Sequence, residues 1–165
     1  MKEKYIKAYM DVAERFSQLS SAVRLQVGAI AVKDDRIISL GYNGTPHGWD
    51  NECENRLYME DDRANWQGVD NLAEQYPYMD ENNRDYRLTS KSEVLHAESN
   101  CISKLARSPE SGEGATMFVT HAPCIDCAKL IYQSGIVAVF YKHRYRDTAG
   151  LDFLEQCGIP VTQLS

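Results

Sequence analysis

Long hydrophobic runs are missing from this chain. No stretch reaches the roughly 18 consecutive apolar residues that a membrane-spanning helix requires, so we expect no membrane span and no membrane partner. The N-terminal segment is charged at helical spacing and lacks both the apolar core and the small-residue cleavage site of a signal peptide. Internal repeats and low-complexity tracts are also missing. Together these absences predict a folded, cytoplasmic protein.

Positive charge is scarce as well. The chain carries 18 Lys and Arg residues against 24 Asp and Glu residues, which gives a formal net charge of -6 at pH 7. Proteins bind nucleic acids mainly through Lys and Arg contacts to phosphates, so we expect no nucleic acid polymer as a partner. A small anionic ligand is compatible with this balance, because one local Arg cluster is enough to bind it.

The composition that is present fits one globular domain. A chain of 165 residues, 43% of them hydrophobic, is long enough to bury one sizeable core, so we expect a single domain over 1–165. Apolar positions at three- and four-residue spacing between Tyr5 and Phe16 predict an amphipathic helix. The apolar runs 27–32 and 36–42, separated by three polar residues, predict a hairpin.

The rest of the chain divides into a polar segment and an alternating region. Apolar periodicity is weak at about 43–92, which predicts a functional insertion that carries a short helix. We then expect helices at about 95–107, 124–134 and 148–157, and strands at 116–120, 136–141 and 160–163. This alternation predicts an α/β fold, a three-layer α/β/α sandwich with a central mixed five-stranded sheet.

Two short motifs carry the chemistry. The five cysteines form an odd set without a secretory signal, which favours metal or redox chemistry over disulfides. Cys124 and Cys127 form a Pro-Cys-x-x-Cys motif, and His96 begins a His-x-Glu motif that ends at Glu98. Two thiolates and one imidazole suit a catalytic zinc site that keeps its fourth position for water. Both motifs lie at predicted helix N-termini, where the helix dipole favours thiolates.

The combination is typical of zinc deaminases, in which the Glu moves protons and is not a metal ligand. Each motif alone also fits a plainer role, since Cys-x-x-Cys occurs in structural zinc sites and redox pairs. Structural zinc usually takes four protein ligands. The candidates for a fourth ligand are Cys53, Cys101, Cys157 and His121.

Four blocks of the sequence resemble the deoxycytidylate (dCMP) deaminase family, within the cytidine deaminase-like superfamily. They are RLQVGAIAV at 24–32, GYNGTP at 41–46, VLHAESN at 94–100 and APCIDCAK at 122–129. The blocks come in the order of the family and cover nearly the whole chain. The zinc motif is common to the superfamily, whereas GYNGTP narrows the resemblance to the nucleotide enzymes.

The resemblance implies hydrolysis of dCMP to dUMP and ammonia, which supplies dUMP for thymidylate synthesis. It implies Zn2+ held by His96, Cys124 and Cys127, with Glu98 as the proton carrier. The substrate-binding residues that it implies are Asn43, Ala97, Arg24 and Tyr145.

Two of these assignments rest on side-chain chemistry. The Asn43 amide can both donate to and accept from a sugar hydroxyl, and the forked guanidinium of Arg24 suits a phosphate. The plainer alternatives are an Asn-Gly turn and a solvated Arg24. Tyr145 and Arg146 belong to a locally basic segment that suits a monophosphate, but equally a solvated loop or a subunit contact.

The resemblance further implies a homohexamer that dCTP activates and dTTP inhibits, with Mg2+ accompanying the triphosphate. The regulatory pocket of the family involves the GYNG segment, here with Asn43 and Gly44, together with the insertion. Two other functions fit the sequence less well. One is the same chemistry on free cytidine or on a tRNA or DNA base, and the other is a catalytically silent zinc module.

Several remaining residues have plainer expected roles. A second metal site at His47, Cys53 and His121 would need converging ligands, which sequence spacing does not indicate. We expect Trp49 and Trp66 to pack rather than to bind a base. We also expect Cys101 and Cys157 to lie in the core.

Overall fold

The computed structural model describes residues 1–66, 71–145 and 147–165. Its elements in chain order are α1 (Glu3–Ser17), β1 (Gly28–Lys33), β2 (Arg36–Tyr42), β3 (Glu54–Tyr58), α2 (Leu72–Gln75), β4 (Tyr78–Met79), β5 (Asp85–Ser90), α3 (Ala97–Leu105), β6 (Thr116–His121), α4 (Ile125–Gln133), β7 (Ala138–His143), α5 (Ala149–Gln156) and β8 (Val161–Gln163). Within the described ranges, no helix combines the length and the apolar character needed to cross a membrane.

The main sheet has five strands in the order β2-β1-β6-β7-β8. Strand β1 pairs antiparallel with β2 and β6, whereas β6, β7 and β8 run parallel, so the sheet is mixed. The predicted hairpin is confirmed. Its turn consists of Asp34 and Asp35, whose φ angles of 50° and 56° give the left-handed backbone that matches the twist of two-residue hairpins.

Helices cover both faces of this sheet. On one face, Met10 and Ala13 of α1 pack against Ile30, Val32 and Phe118. The β1 residues between these point to the opposite face of the sheet. There they join a second hydrophobic core, which contains buried residues from α3, α4 and α5. Because successive side chains of a strand point to opposite faces, β1 supplies both cores and is apolar along nearly its whole length. The three-layer α/β/α architecture is therefore confirmed.

The insertion has more structure than its sequence indicates. It contains the predicted short helix, α2, and also a three-stranded antiparallel sheet in the order β3-β5-β4, which the sequence analysis missed. These strands have no fully buried face, so they show no apolar alternation. Stacked rings hold them instead: the centroids of Tyr78 and Tyr86 lie 5.5 Å apart, and the Arg84 guanidinium lies 4.2 Å from the Tyr58 centroid.

Two expectations about packing need correction. Trp49 is 58% exposed, so most of its side chain does not pack against the protein as we expected. Trp66 is partly buried and donates its indole N–H to Met59 O over 3.2 Å, in line with a packing role. Cys101 is fully buried as expected, whereas Cys157 is only half-buried at the end of α5.

Candidate active site

The first half of the site lies at the start of α3. His96 is the N-cap residue of this helix, and Glu98 lies in its first turn. The helix begins two residues later than predicted because Leu95 is held extended by a pair of backbone hydrogen bonds with Gly44, of 2.9 and 3.1 Å. This pairing determines where His96 leaves the extended segment and where the helix can begin.

The second half of the site lies at the start of α4. Cys124 is the N-cap residue of α4, and Cys127 is buried in the first turn. The Cys124 carbonyl accepts the first intrahelical bond, from Ala128 N, at 2.9 Å. Both cysteines therefore lie near the positive end of the helix dipole, where a negative charge on sulfur is stabilised.

These two helix ends bring three ligand atoms together. His96 Nδ1 lies 3.5 Å from Cys124 Sγ and 3.4 Å from Cys127 Sγ. Nitrogen and sulfur ligands of a tetrahedral zinc ion, at about 2.1 and 2.3 Å from the metal, lie about 3.5 Å from each other. The group therefore fits zinc in donor chemistry and in spacing, and it could hold the ion.

The described residues provide no fourth protein ligand. The group of converging ligand atoms consists of His96, Cys124 and Cys127 alone within the described part of the chain. The earlier candidates Cys53, Cys101, Cys157 and His121 do not join it. Three protein ligands leave one coordination position for water, as in catalytic zinc sites, which weighs against the structural-zinc alternative.

The two thiols respond in opposite ways to their contacts. Hydrogen bonds from Cys127 and then from His96 lower the pKa of Cys124 to about 4. The hydrogen bond to Cys124, together with burial, raises the pKa of Cys127. The pair by itself thus holds one negative charge, and the positive charge of a metal ion is what allows the second thiol to ionise as well.

Glu98 is buried beside this group. Its side chain is 4% exposed, and burial raises its pKa to about 7. A carboxyl group that titrates near neutrality can both accept and donate a proton under working conditions. The start of α3 therefore directs a ligand atom and an ionisable carboxyl into one cleft, although Glu98 follows His96 by two residues, a spacing that places side chains on different faces of a regular helix.

The cleft has a volume of about 290 Å³. All four predicted substrate-binding residues, Arg24, Asn43, Ala97 and Tyr145, line it together with His96, Glu98 and Cys124. Arg146, the further phosphate candidate, lies outside the described residues. The sequence analysis missed Ser90, Lys91 and Ser92, which bring the end of the insertion to the cleft, and it considered His121 only as a metal ligand.

Both polar atoms of the Asn43 side-chain amide make hydrogen bonds to the backbone. Its Oδ1 accepts from Val27 N and its Nδ2 donates to Leu25 O, both over 2.8 Å. These bonds tie the GYNG segment to the residues before β1. One N–H and one acceptor site of the amide remain for a ligand, so the turn role and the binding role of Asn43 are compatible.

A second, larger cavity of about 560 Å³ shares Asn43 with the cleft as a lining residue. The GYNGTP segment, with Gly44, forms one wall, and the exposed Trp49 lies at its edge. Lys104, in the last turn of α3, and Arg107, just after this helix, supply positive charge to the cavity. His47 also lines this cavity, whereas Cys53 is buried 3.4 Å from Ser21 Oγ. Among the described residues, His47, Cys53 and His121 do not form a second group of converging metal ligands.

The chain is similar to known deaminases over almost all of its length. The family model "Cytidine and deoxycytidylate deaminase zinc-binding region" matches residues 3–143. The deoxycytidylate deaminase of Enterobacteria phage T2 is 37% identical over 166 residues, which cover 92% of this chain and 88% of the phage protein. The human deoxycytidylate deaminase is 33% identical over 85% of this chain and 66% of its own length.

A solved structure shows the same similarity in three dimensions. The dCMP deaminase of the cyanophage S-TIM5, determined in complex with dCMP and dUMP, superposes with a TM-score of 0.78. It is 38% identical, and the match covers 99% of each chain. The zinc-compatible ligand group, the buried carboxyl and these similarities agree, and the chain belongs to the zinc-binding cytidine and deoxycytidylate deaminase family.

Proposed function

We propose that this protein hydrolyses dCMP to dUMP and ammonia and so supplies dUMP for thymidylate synthesis. The observation that carries the proposal is the convergence, in one cleft, of a three-ligand zinc group, a buried carboxyl and the cation of Arg24. The first two suit hydrolysis of an amino group on a ring, and the third suits a monophosphate. The resemblance to the T2 and S-TIM5 enzymes supports dCMP as the substrate.

In this proposal His96, Cys124 and Cys127 hold the zinc ion. When bound, zinc lowers the pKa of a coordinated water toward neutrality and thereby supplies a nucleophile at physiological pH. Glu98 accepts the proton of the attacking water and delivers it to ring nitrogen 3 of the cytosine. Glu98 then takes the remaining proton from the hydroxyl now attached to the ring carbon and gives it to the amino group, so that the C–N bond breaks, ammonia leaves and the carbonyl of dUMP forms. The burial of Glu98 keeps bulk water from exchanging these protons.

The other cleft residues bind and orient the nucleotide. Ala97 is the first residue of α3, where backbone amides lack an intrahelical acceptor, and its N–H suits the carbonyl oxygen of the base. The remaining donor and acceptor of Asn43 suit the deoxyribose hydroxyl. Arg24, whose guanidinium donates to Ser90 Oγ over 3.3 Å, suits the phosphate, with Tyr145 beside it.

The substrate can be tested directly with a panel of cytosine compounds. Zinc-loaded protein is incubated separately with dCMP, CMP, deoxycytidine and cytidine, and ammonia release is measured. We expect a higher kcat/KM for the nucleotides than for the nucleosides, because only the nucleotides engage the Arg24 cation. Between the two nucleotides we expect dCMP to be preferred, as the similarity to the T2 and S-TIM5 enzymes indicates. Preference for a nucleoside would contradict the proposed substrate, and inactivity on every compound with zinc bound would favour the silent zinc module.

We propose further that the second cavity is a regulatory triphosphate site, with dCTP as the activator, dTTP as the inhibitor and Mg2+ on the phosphates. Lys104 and Arg107 supply cations for these phosphates. Asn43 lines both cavities. The backbone pairing of Gly44 with Leu95 connects the GYNGTP loop, which lines the proposed effector site, to the residue before His96. A ligand that moves this loop can therefore alter the zinc-binding end of α3.

Regulation is tested by measuring dCMP saturation with increasing dCTP and Mg2+. An allosteric coupling of about 1–3 kcal/mol would change the apparent dCMP affinity by about 5- to 150-fold. Arg107→Met should raise the dCTP concentration that gives half-maximal activation, and an unchanged concentration would exclude Arg107 from the effector site. We also propose the homohexamer that the resemblance implies, and sedimentation with and without dCTP tests it. The cytoplasmic location stays a prediction.

A further inference from the structure

His121 is half-buried, and it is neither one of the proposed zinc ligands nor the proposed proton carrier. It is the last residue of β6, and its side chain lines the active-site cleft. Its ring nitrogens do not belong to the converging ligand atoms of His96, Cys124 and Cys127. The imidazole therefore lines the cleft without belonging to the metal group.

A hydrogen-bond relay through Thr120 fits the His121 tautomer that carries its proton on Nε2. The Gly28 N–H donates to Thr120 Oγ1 over 3.1 Å, and Thr120 Oγ1 lies 3.2 Å from His121 Nδ1. The hydroxyl is a donor as well as an acceptor, so with the Gly28 N–H on its oxygen it can donate its own proton to Nδ1. A neutral imidazole that accepts at Nδ1 carries its proton on Nε2. Because Thr120 is 2% exposed, bulk water does not compete for this bond.

The neighbouring strand favours the neutral form of this ring. His143 of β7 lies opposite His121 in the parallel pairing, and the two ring centroids are 4.9 Å apart. Burial, and then repulsion from His143, lower the pKa of His121. At neutral pH the His121 imidazole is therefore uncharged, and in the tautomer that accepts from Thr120 its single N–H donor is Nε2.

This donor is available to a ligand. Within residues 1–66, 71–145 and 147–165, the hydrogen bond of the His121 ring is the one at Nδ1, and Nε2 makes none. The aminated carbon of the base must lie near the zinc ligands and Glu98 for reaction, so the sugar and phosphate extend toward the other cleft residues. Arg24, Tyr145 and His121 are among the cleft residues other than the metal ligands and Glu98.

We propose that His121 is a specificity-determining residue that donates an Nε2–H hydrogen bond to an oxygen of the sugar-phosphate part of the bound nucleotide. The inference rests on the proposed function, since it assigns a substrate contact within the same site. A neutral, pre-oriented donor suits this task because binding does not have to remove water from a charged group. Rotation of the ring is limited by the bond at Nδ1, so the donor is held in place before the nucleotide arrives.

Three substitutions separate this contact from a merely structural role. The side-chain amide nitrogen of Gln reaches the position of Nε2, whereas that of Asn reaches only the position of Nδ1. His121→Gln thus keeps the donor, and His121→Asn is its matched control with the same chemistry in the wrong place. His121→Leu removes every hydrogen bond while keeping an apolar body of similar size.

The experiment measures kcat and KM for dCMP in the zinc-loaded full chain, with zinc content and Tm as checks on folding. We expect KM to rise about 10-fold in His121→Leu and His121→Asn, the loss typical of one hydrogen bond, with a smaller change in kcat. His121→Gln should restore most of the affinity. A structural role would not separate Gln from Asn in this way.

Three results would overturn the inference: an unchanged KM in His121→Leu, a Gln variant as impaired as the Asn variant, or a fall in kcat at constant KM. Failure of the proposed function is visible separately, since wild-type protein would then not deaminate dCMP at all. In that case the calorimetric Kd of dUMP for the same variants still tests the contact, with the same order of affinities expected.

Discussion

Gly41, the first residue of the GYNGTP segment, is the point where β2 lies directly against α3. A Cβ atom added there would lie 2.2 Å from Ala97 O and 2.6 Å from Cys101 N. Both are backbone atoms, so no side chain can rotate to relieve the contact. Restoring a van der Waals separation of 3.4 Å from the carbonyl oxygen requires a displacement of about 1.2 Å. Gly41→Ala therefore forces the start of α3 away from the sheet.

This displacement acts on the catalytic groups because His96 and Glu98 lie at the same end of α3. Overpacking of this kind usually costs about 1–3 kcal/mol of the free energy of unfolding. A shift of about 1 Å at a reacting centre can lower the rate about 100-fold. We expect Gly41→Ala to lose stability in that range and to lose about 100-fold in kcat/KM for dCMP.

Gly112→Ala is the matched control. Its added Cβ would lie 2.6 Å from Ser134 O, another backbone atom, at the opposite end of α4 from Cys124. We expect a comparable loss of stability with a much smaller loss of kcat/KM. Chemical denaturation and dCMP turnover are measured on all three proteins below their melting transitions. Equal losses of activity in the two variants, or full activity in Gly41→Ala, would refute the reasoning.

Three further substitutions test other parts of the account. Glu98→Gln should lower kcat by about 10²–10⁴-fold while zinc stays near one per chain by metal analysis, and retained turnover would remove Glu98 as the proton carrier. Cys124→Ala should lose zinc and Tm together, whereas unchanged zinc content would exclude Cys124 as a ligand. In the insertion, Asp62 accepts hydrogen bonds from Tyr76 and Arg87 over 2.8 and 2.7 Å. Hydrogen bonds, chiefly from Tyr76, lower the pKa of Asp62 in the folded chain, so its stabilising effect is present at neutral pH and is lost in acid. Asp62→Asn should therefore lower Tm at pH 7, with a difference from wild type that shrinks below about pH 4, and a constant difference would contradict the assignment.

The parts of the fold that the sequence predicted are those where burial imposes a pattern. Helix α1 places one apolar face on the sheet, so its apolar residues recur at helical spacing. The hairpin of β1 and β2 is visible because two apolar runs flank a turn built of aspartates. The zinc group was predictable because the motifs that contain His96, Cys124 and Cys127 both lie at predicted helix N-termini, and this combination is typical of zinc deaminases.

The remaining features depend on contacts that leave no periodic signal. The sheet of the insertion is held by stacked rings and by the polar contacts of Asp62, Tyr76 and Arg87, which can be recognised only after folding. The role inferred for His121 depends on Gly28, which is 92 residues away from Thr120 in sequence. The exposure of Trp49 follows from the course of the loop around the second cavity rather than from its residue type.

The most direct test of the central claim is the conversion of dCMP by zinc-loaded wild-type protein beside the Glu98→Gln variant, followed by the ultraviolet change of cytosine to uracil and by ammonia release. The account predicts equal amounts of dUMP and ammonia from the wild type and almost none from the zinc-loaded variant. Wild-type protein that binds zinc but leaves dCMP unchanged would contradict it.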